Sequence, residues 1–209
     1  MVIRKKDLVV DSVFSIQVPE YGYVLAQFRK DHHLEVFDCL RKEDSWKGVD
    51  LNNVPVLFNI VVAGHRLLKL FSKEVSELVS SNKRPQPILS LSLGEVRPST
   101  NLFGLKLVKH EEVYDPNNVV VLMPSLESES HRDIIYSFEY IGMIGEPEVI
   151  RSRISTYYET GINWDNQKSI LYPELPLPPK GYQRMTCEEF LLSHKLDITR
   201  TGTIMKATC

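Results

Sequence analysis

The side chains in this chain that could do chemistry are its histidines, cysteines and carboxylates. Six histidines are present, His32, His33, His65, His110, His131 and His194. No two of them stand in the H-x-H or H-E-x-x-H spacing that aims imidazoles at one zinc ion. Cys39, Cys187 and Cys209 lie too far apart to form a thiolate pair. His32 and His33 follow Asp31 in a polar turn, where adjacent side chains diverge, so both read as solvated turn histidines. His110-Glu111-Glu112 offers a base and two carboxylates, but three consecutive residues cannot share one strand face, and a charged strand end is the expectation. Cys39 falls inside a strand pattern with no histidine beside it and reads as a buried structural thiol. No G-x-S-x-G, Walker loop or G-x-G-x-x-G occurs. The expectation is a chain with no catalytic residue, no metal site and no cofactor.

Charge is organised more tellingly than chemistry. Residues 1–109 carry 16 Lys/Arg against 12 Asp/Glu, residues 110–150 carry only Arg132 against nine acids, and residues 151–209 carry eight basic against six acidic residues. A block of net −8 repels phosphate backbones and attracts basic partners. Glu111, Glu112, Asp115, Glu127, Glu129 and Asp133 are therefore candidate partner contacts, with Tyr136 as an aromatic anchor. Tyr21, Tyr23, Trp46 and Tyr140 are further aromatics expected to be partly exposed, and such residues are favoured at protein interfaces. A pI near 6.3 and basic clusters of only two or three residues argue against nucleic-acid binding. The opening Arg4-Lys5-Lys6-Asp7 is not followed by an apolar stretch of signal-peptide length, and no apolar run is long enough to cross a bilayer. An odd cysteine count without close spacing fits a reducing compartment. The expectation is a soluble cytoplasmic protein with no membrane partner.

Those residues must be positioned by short elements. Phe14, Ile16 and Val18 alternate with Ser15 and Gln17, the period of a half-buried strand that Pro19 ends. A Tyr21-Gly22-Tyr23 turn leads into a strand to Phe28, and Arg29–His32 turns into a third strand over 34–40. The β-branched run Val56–Ala63 reads as a central strand covered on both faces. Leu67, Leu68, Phe71, Val75, Leu78 and Val79 recur at three and four residues, which predicts a short amphipathic helix. Further strands are predicted over 88–93, 102–108 and 119–123, with a turn at Asp115-Pro116-Asn117-Asn118, and another over 134–144. Pro147 opens a helix near 147–160 with Gly161 as its stop. The Thr186/Glu189 capping box starts a last helix near 187–195. The tail beyond Asp197 reads as loose. Close turns imply antiparallel pairing. The fold expected is mostly β (α+β): a strongly twisted antiparallel sheet or partly open barrel with two or three short helices. A meander plus helix would occupy 1–84, and a second β-rich half 85–209, in one domain or two.

Asp11 to Leu68 resembles the immunity protein 26 family of bacterial polymorphic-toxin systems. The segments that carry the likeness are Val13-Phe14-Ser15-Ile16-Gln17-Val18-Pro19, Tyr21-Gly22-Tyr23-Val24-Leu25-Ala26, Leu34-Glu35-Val36-Phe37-Asp38 and Val54-Pro55-Val56-Leu57-Phe58. Tyr140-Ile141-Gly142 echoes a later W-x-x-I-G segment of the family without its tryptophan, and Val24 stands where the family has glycine. The resemblance implies a mostly β protein that binds and neutralises a cognate antibacterial toxin. Such toxins are often nucleases with basic clefts, which the acidic block would suit. It transfers no binding residue, because immunity surfaces differ from toxin to toxin. Some relatives are labelled organophosphate hydrolases, which leaves a phosphotriesterase-like hydrolase as an alternative. A β-barrel protein binding a small ligand is the other, and it requires a preformed apolar pocket.

Overall fold

A computed structural model describes residues 3–110 and 119–194. The strands are β1 (Val13–Val18), β2 (Gly22–Phe28), β3 (His33–Phe37), β4 (Val49–Asp50), β5 (Val56–Val61), β6 (Phe71–Glu74), β7 (Val79–Ser80), β8 (Leu89–Val96), β9 (Phe103–Lys109) and β10 (Val120–Met123). The helices are α1 (Arg132–Ser137), α2 (Pro147–Thr160), α3 (Asn166–Leu171) and α4 (Cys187–Ser193). The fold is mostly β with antiparallel sheets, as the spacing predicts, and among the described residues no sheet closes into a barrel. No helix among the described residues is long and apolar enough to cross a membrane. The Asp115–Asn118 turn and the tail beyond Asp197 lie outside the described residues.

The chain divides into two compact units: Met1–Pro85 with Ile141–Asn166 and Leu177–Gly181, and Gln86–Tyr140 with Gln167–Pro176 and Tyr182–Cys209. In the first, five antiparallel strands run in the order β5-β3-β2-β1-β6, and the short β4 and β7 pair in parallel. The β2–β3 connection is a tight turn in which Asp31 (φ 57°) and His32 (φ 62°) both take the left-handed conformation, matching the twist of the strands they join. Phe14, Ile16, Ala26, Phe28, Val36 and Ile60 face one side of this sheet, in a cluster that also holds Ile150 and Ile154 of α2. Sequence grouping assigns α2 to residues 85–209; in the structure it packs in the first unit. Its Tyr157 and Tyr158 hydroxyls donate to the two oxygens of Asp38 at 2.7 and 2.8 Å, and it stops at Gly161 in the left-handed conformation.

The helix predicted over 67–79 does not form. A single 3₁₀ turn, Gly64–Arg66, leads to β6, which completes the β1 edge. The residues that spacing put on one stripe divide between two clusters. Leu67, Leu68 and Phe71 join the α2 side, with Phe71 4.7 Å from Phe14 and 5.7 Å from Phe28, while Val75 and Val79 join Val13, Leu25, Phe37, Trp46 and Leu51 on the other. Pairing of an otherwise open edge outweighs a marginal helical preference.

In the second unit β10, β9 and β8 form an antiparallel sheet. The strand predicted over 134–144 begins instead as α1, whose Ile134, Ile135, Tyr136 and Ser137 are all buried. A helix buried on most sides shows no 3.6-residue stripe, which explains the mixed pattern. Its C-terminal end is closed by Lys168, fully buried, whose ammonium donates to the carbonyls of Ile135 (2.8 Å) and Phe138 (2.6 Å). Arg97 is equally buried: it stacks 4.2 Å over the Tyr172 ring and pairs with Glu174 at 2.6 Å. The predicted capping box opens α4.

Gly22 (φ 135°) begins β2, and the position of a Cβ there is 2.1 Å from the Arg41 carbonyl oxygen. Gly22→Ala should destabilise the protein by about 2 kcal/mol or more, because backbone rather than a flexible side chain must give way. Thermal unfolding of the variant checks this, with a fall of about 4–8 °C expected.

Candidate functional site

The face of the five-stranded sheet opposite α2 carries a row of polar side chains. Register places Gln27 opposite Glu35 and Glu35 opposite Asn59. Gln27 is fully buried, Glu35 is 2% exposed and Asn59 7%. Arg29 Nη1 donates to Glu35 Oε2 at 2.8 Å, and Asn82 Nδ2 donates to the same oxygen at 2.8 Å. Asn82 also bonds Gln27 twice: its N–H donates to Gln27 Oε1 and its carbonyl accepts from Nε2. Arg29 reaches the carbonyls of Asn82 and Arg84. Arg84 donates to Asn82 Oδ1 and to the carbonyls of Leu51 and Val54. Residues 82–84 thus form a polar strap over the row.

His33 stands at the end of this row, 5% exposed, with Nδ1 2.6 Å from Asn59 Oδ1. The expected solvated pair is therefore split: His32 is exposed, and His33 is inside. Burial pulls the His33 pKa below the ordinary imidazole value, although Asn59, Asp31 and Glu35 pull the other way. The missed signal lies in strand alternation. Gln27 and Glu35 sit at positions opposite the apolar residues of their strands, normally the solvent side. Here 41–54 and 75–84 cover that side. Every charged group of the row has its partners within the protein, so its work is structural.

Of the predicted partner contacts, Glu111, Glu112 and Asp115 lie outside the described residues. The second unit presents Glu129 and Asp133 exposed and Glu127 half-buried. Glu127 accepts from Ser99 Oγ at 3.2 Å, and Asp133 accepts from the Tyr182 hydroxyl at 3.0 Å. Glu146 and Glu148, from the same acidic block, belong to the first unit, so the block is not one surface of one unit. Tyr136 is corrected: it is 3% exposed, its hydroxyl donates to the Pro176 carbonyl, and its ring meets Tyr182 edge-on at 5.2 Å. It is a core residue of α1, unavailable to a partner. Trp46, at 1% exposed, is buried too. Sequence reasoning overlooked the β8–β9 hairpin end. Val96 (47% exposed), Leu102 (38%) and Phe103 (53%) stand open there, Val96 paired directly with Phe103. Ser99, in the same turn, holds Glu127. Leu102 and Phe103 were legible only as strand residues.

Groups with catalytic potential are engaged in structural contacts. His110 is buried against Ser90 Oγ at 3.0 Å. Cys39 accepts from the Leu25 N–H, and burial pushes its thiol up to about 11. Tyr157 is pushed up to about 12, and Tyr158 higher still, by burial and by the Asp38 carboxylate they share. Among the described residues no three His, Cys, Asp or Glu side chains converge in a way that could hold a metal ion.

A family model described as Domain of unknown function (DUF8309) matches residues 2–176, which include β1–β10 and α1–α3. The chain belongs to the DUF8309 family. No curated protein and no solved structure matches it. In this DUF8309 chain the match stops before α4.

Two outcomes follow from the polar row. Glu35→Gln should cost about 3 kcal/mol in chemical denaturation, because it leaves the Arg29 guanidinium, 10% exposed, with only the more distant Asp11 carboxylate at 3.9 Å. The His33 shift sets a pH dependence. A histidine whose folded pKa is depressed binds fewer protons when folded, so its contribution is fully present above about pH 6.5 and is lost as pH falls below that value. Stability should decline between pH 7 and pH 5 by no more than about 1.4 kcal/mol per pH unit from this group. The decline should be shallower in His33→Gln, measured by urea unfolding at each pH.

Proposed function

We propose that this DUF8309 chain is a toxin-neutralising binding protein, one that covers the working surface of a basic antibacterial toxin domain. The observation that carries the reading is the β8–β9 hairpin end: open Val96, Leu102 and Phe103, with Glu127 fastened to its turn and Glu129 exposed in the same acidic segment. Apolar anchors ringed by like-signed charge are the anatomy of a specific protein interface, the anchors supplying area and the charge steering encounter. The side chains at this surface are held by a paired antiparallel hairpin, so little is lost in ordering them on binding. The resemblance of Asp11–Leu68 to the immunity protein 26 family supports the same reading from the other unit. A nuclease fits the charge pattern as the type of toxin, since its substrate cleft would be basic. Blocking such a cleft needs no cofactor, no metal and no catalytic group on this chain. The expected setting is the cytoplasm of the toxin-producing cell.

Co-expression with the product of the adjacent upstream gene tests the reading. A co-purifying complex and restored growth are expected; toxicity undiminished and no complex would end it. Given a complex, Glu127→Lys with Glu129→Lys should slow association about tenfold at low salt and flatten its salt dependence, with dissociation little changed. Phe103→Asp should instead speed dissociation at least tenfold. Surface plasmon resonance at several ionic strengths separates the two effects.

A further inference from the structure

The first unit contains a cavity of about 460 Å³, within the range of about 300–1,000 Å³ in which small-molecule sites fall. Its inner wall is apolar: Leu8, Phe28, Val62 and Ala63. Phe28 and Val62 belong to the core cluster beneath it, so the floor is backed by packed side chains and cannot readily collapse. Val9, Val10 and Met143 line it as well and stand 57%, 56% and 64% exposed, an unusual density of open aliphatic surface at one place.

The polar groups around this cavity are chiefly donors. Lys5, His32 and His65 are all exposed on its lining, and none of the three makes a side-chain hydrogen bond or ion pair with the described residues. Arg29 also borders it, but its guanidinium is committed to Glu35 and to the carbonyls of Asn82 and Arg84. Asp31 is the one acid on the wall, and its Oδ2 is out of solvent reach and accepts no hydrogen bond from the described residues, so the ligand's anionic end is placed on the Lys5, His32 and His65 side and away from it. An ammonium and two imidazoles without a protein partner, set beside a half-open hydrocarbon surface, complement a molecule with an apolar body and one anionic, hydrogen-bond-accepting end.

We infer that this cavity binds a small amphipathic monocarboxylate, its hydrocarbon part against Phe28, Val62 and Ala63 and its carboxylate among Lys5, His32 and His65. The site is independent of the hairpin surface assigned to the toxin, and neither result depends on the other. The β2–β3 turn places one of the three donors, because its left-handed His32 lies in the short connection that follows Phe28 at the end of β2.

Isothermal titration of the full chain with hexanoate, octanoate and decanoate, and with octanol and octylamine as head-group controls, tests the assignment. Saturable binding of the carboxylates is expected, strengthening about fourfold per added methylene. Octanol should bind at least tenfold more weakly than octanoate, and octylamine more weakly still. Lys5→Gln, His32→Asn and His65→Gln combined should weaken octanoate tenfold or more and leave octanol within twofold. All three positions are exposed, and asparagine tolerates the left-handed backbone at 32, so the variant should melt with the parent protein. Val10→Asp, at an open position, should weaken octanoate through repulsion while sparing octylamine. No saturable binding of any carboxylate, equal or tighter binding of octanol or octylamine, or unchanged octanoate affinity in the triple variant would each overturn the assignment.

Discussion

Glu35 carries a carboxylate into a place with almost no water, and much of the first unit is arranged around keeping it paired. An isolated charge at that depth would be prohibitively costly. Arg29 supplies the countercharge from the residue that follows β2, Asn82 adds a second donor, and Arg84 fastens Asn82 to the backbone at Leu51 and Val54. Each bond recruits another segment. The strap at 82–84, the β4 region and the β2–β3 hairpin are tied to one carboxylate and cannot shift independently. Such a row also pins strand register, since a slip of one residue would present Gln27, Glu35 and Asn59 to the apolar cluster on the opposite face.

The other face depends on volume rather than charge. Phe14, Phe28 and Phe71 pack edge and face among aliphatic residues, and α2 closes the layer from above. Asp38 joins the two regimes, because it follows β3 directly and accepts from both tyrosines of α2. The second unit repeats the device of a buried cation held from several directions. Lys168 closes the end of α1 with its ammonium, and Arg97 lies over the Tyr172 ring and donates to Glu174 and to the Leu171 carbonyl. In each case a charged group specifies a unique arrangement where apolar packing alone would allow several.

With polar chemistry consumed by architecture, the surfaces left for function are those where something is unspent. The β8–β9 hairpin end leaves apolar side chains open beside acids, and the cavity of the first unit leaves donors open beside hydrocarbon. The first suits a large basic partner and the second a small anionic one. Titratable groups with strongly altered protonation, Cys39, Tyr157 and Tyr158, gather around Asp38 and owe their shifts chiefly to burial and to that structural carboxylate.

Local sequence was sufficient for the features that local physics controls. Alternation in 13–18, the turn at 29–32, the proline-to-glycine span of α2 and the Thr186/Glu189 box each rest on interactions within a few residues, and each formed as spacing indicated. The mostly antiparallel β character followed from the shortness of the turns. What tertiary structure alone decided involved competition between distant segments. Residues 67–79 had helical spacing but became an edge strand because β1 needed a partner. Residues 132–137 had no helical stripe but became a helix because neighbours covered it on most sides. Gln27 and Glu35 looked like solvent-facing positions until 75–84 folded over them, and Tyr136 looked like a surface anchor until the Pro176 carbonyl took its hydroxyl. Burial is a property of what arrives from elsewhere in the chain, and no window of residues contains it.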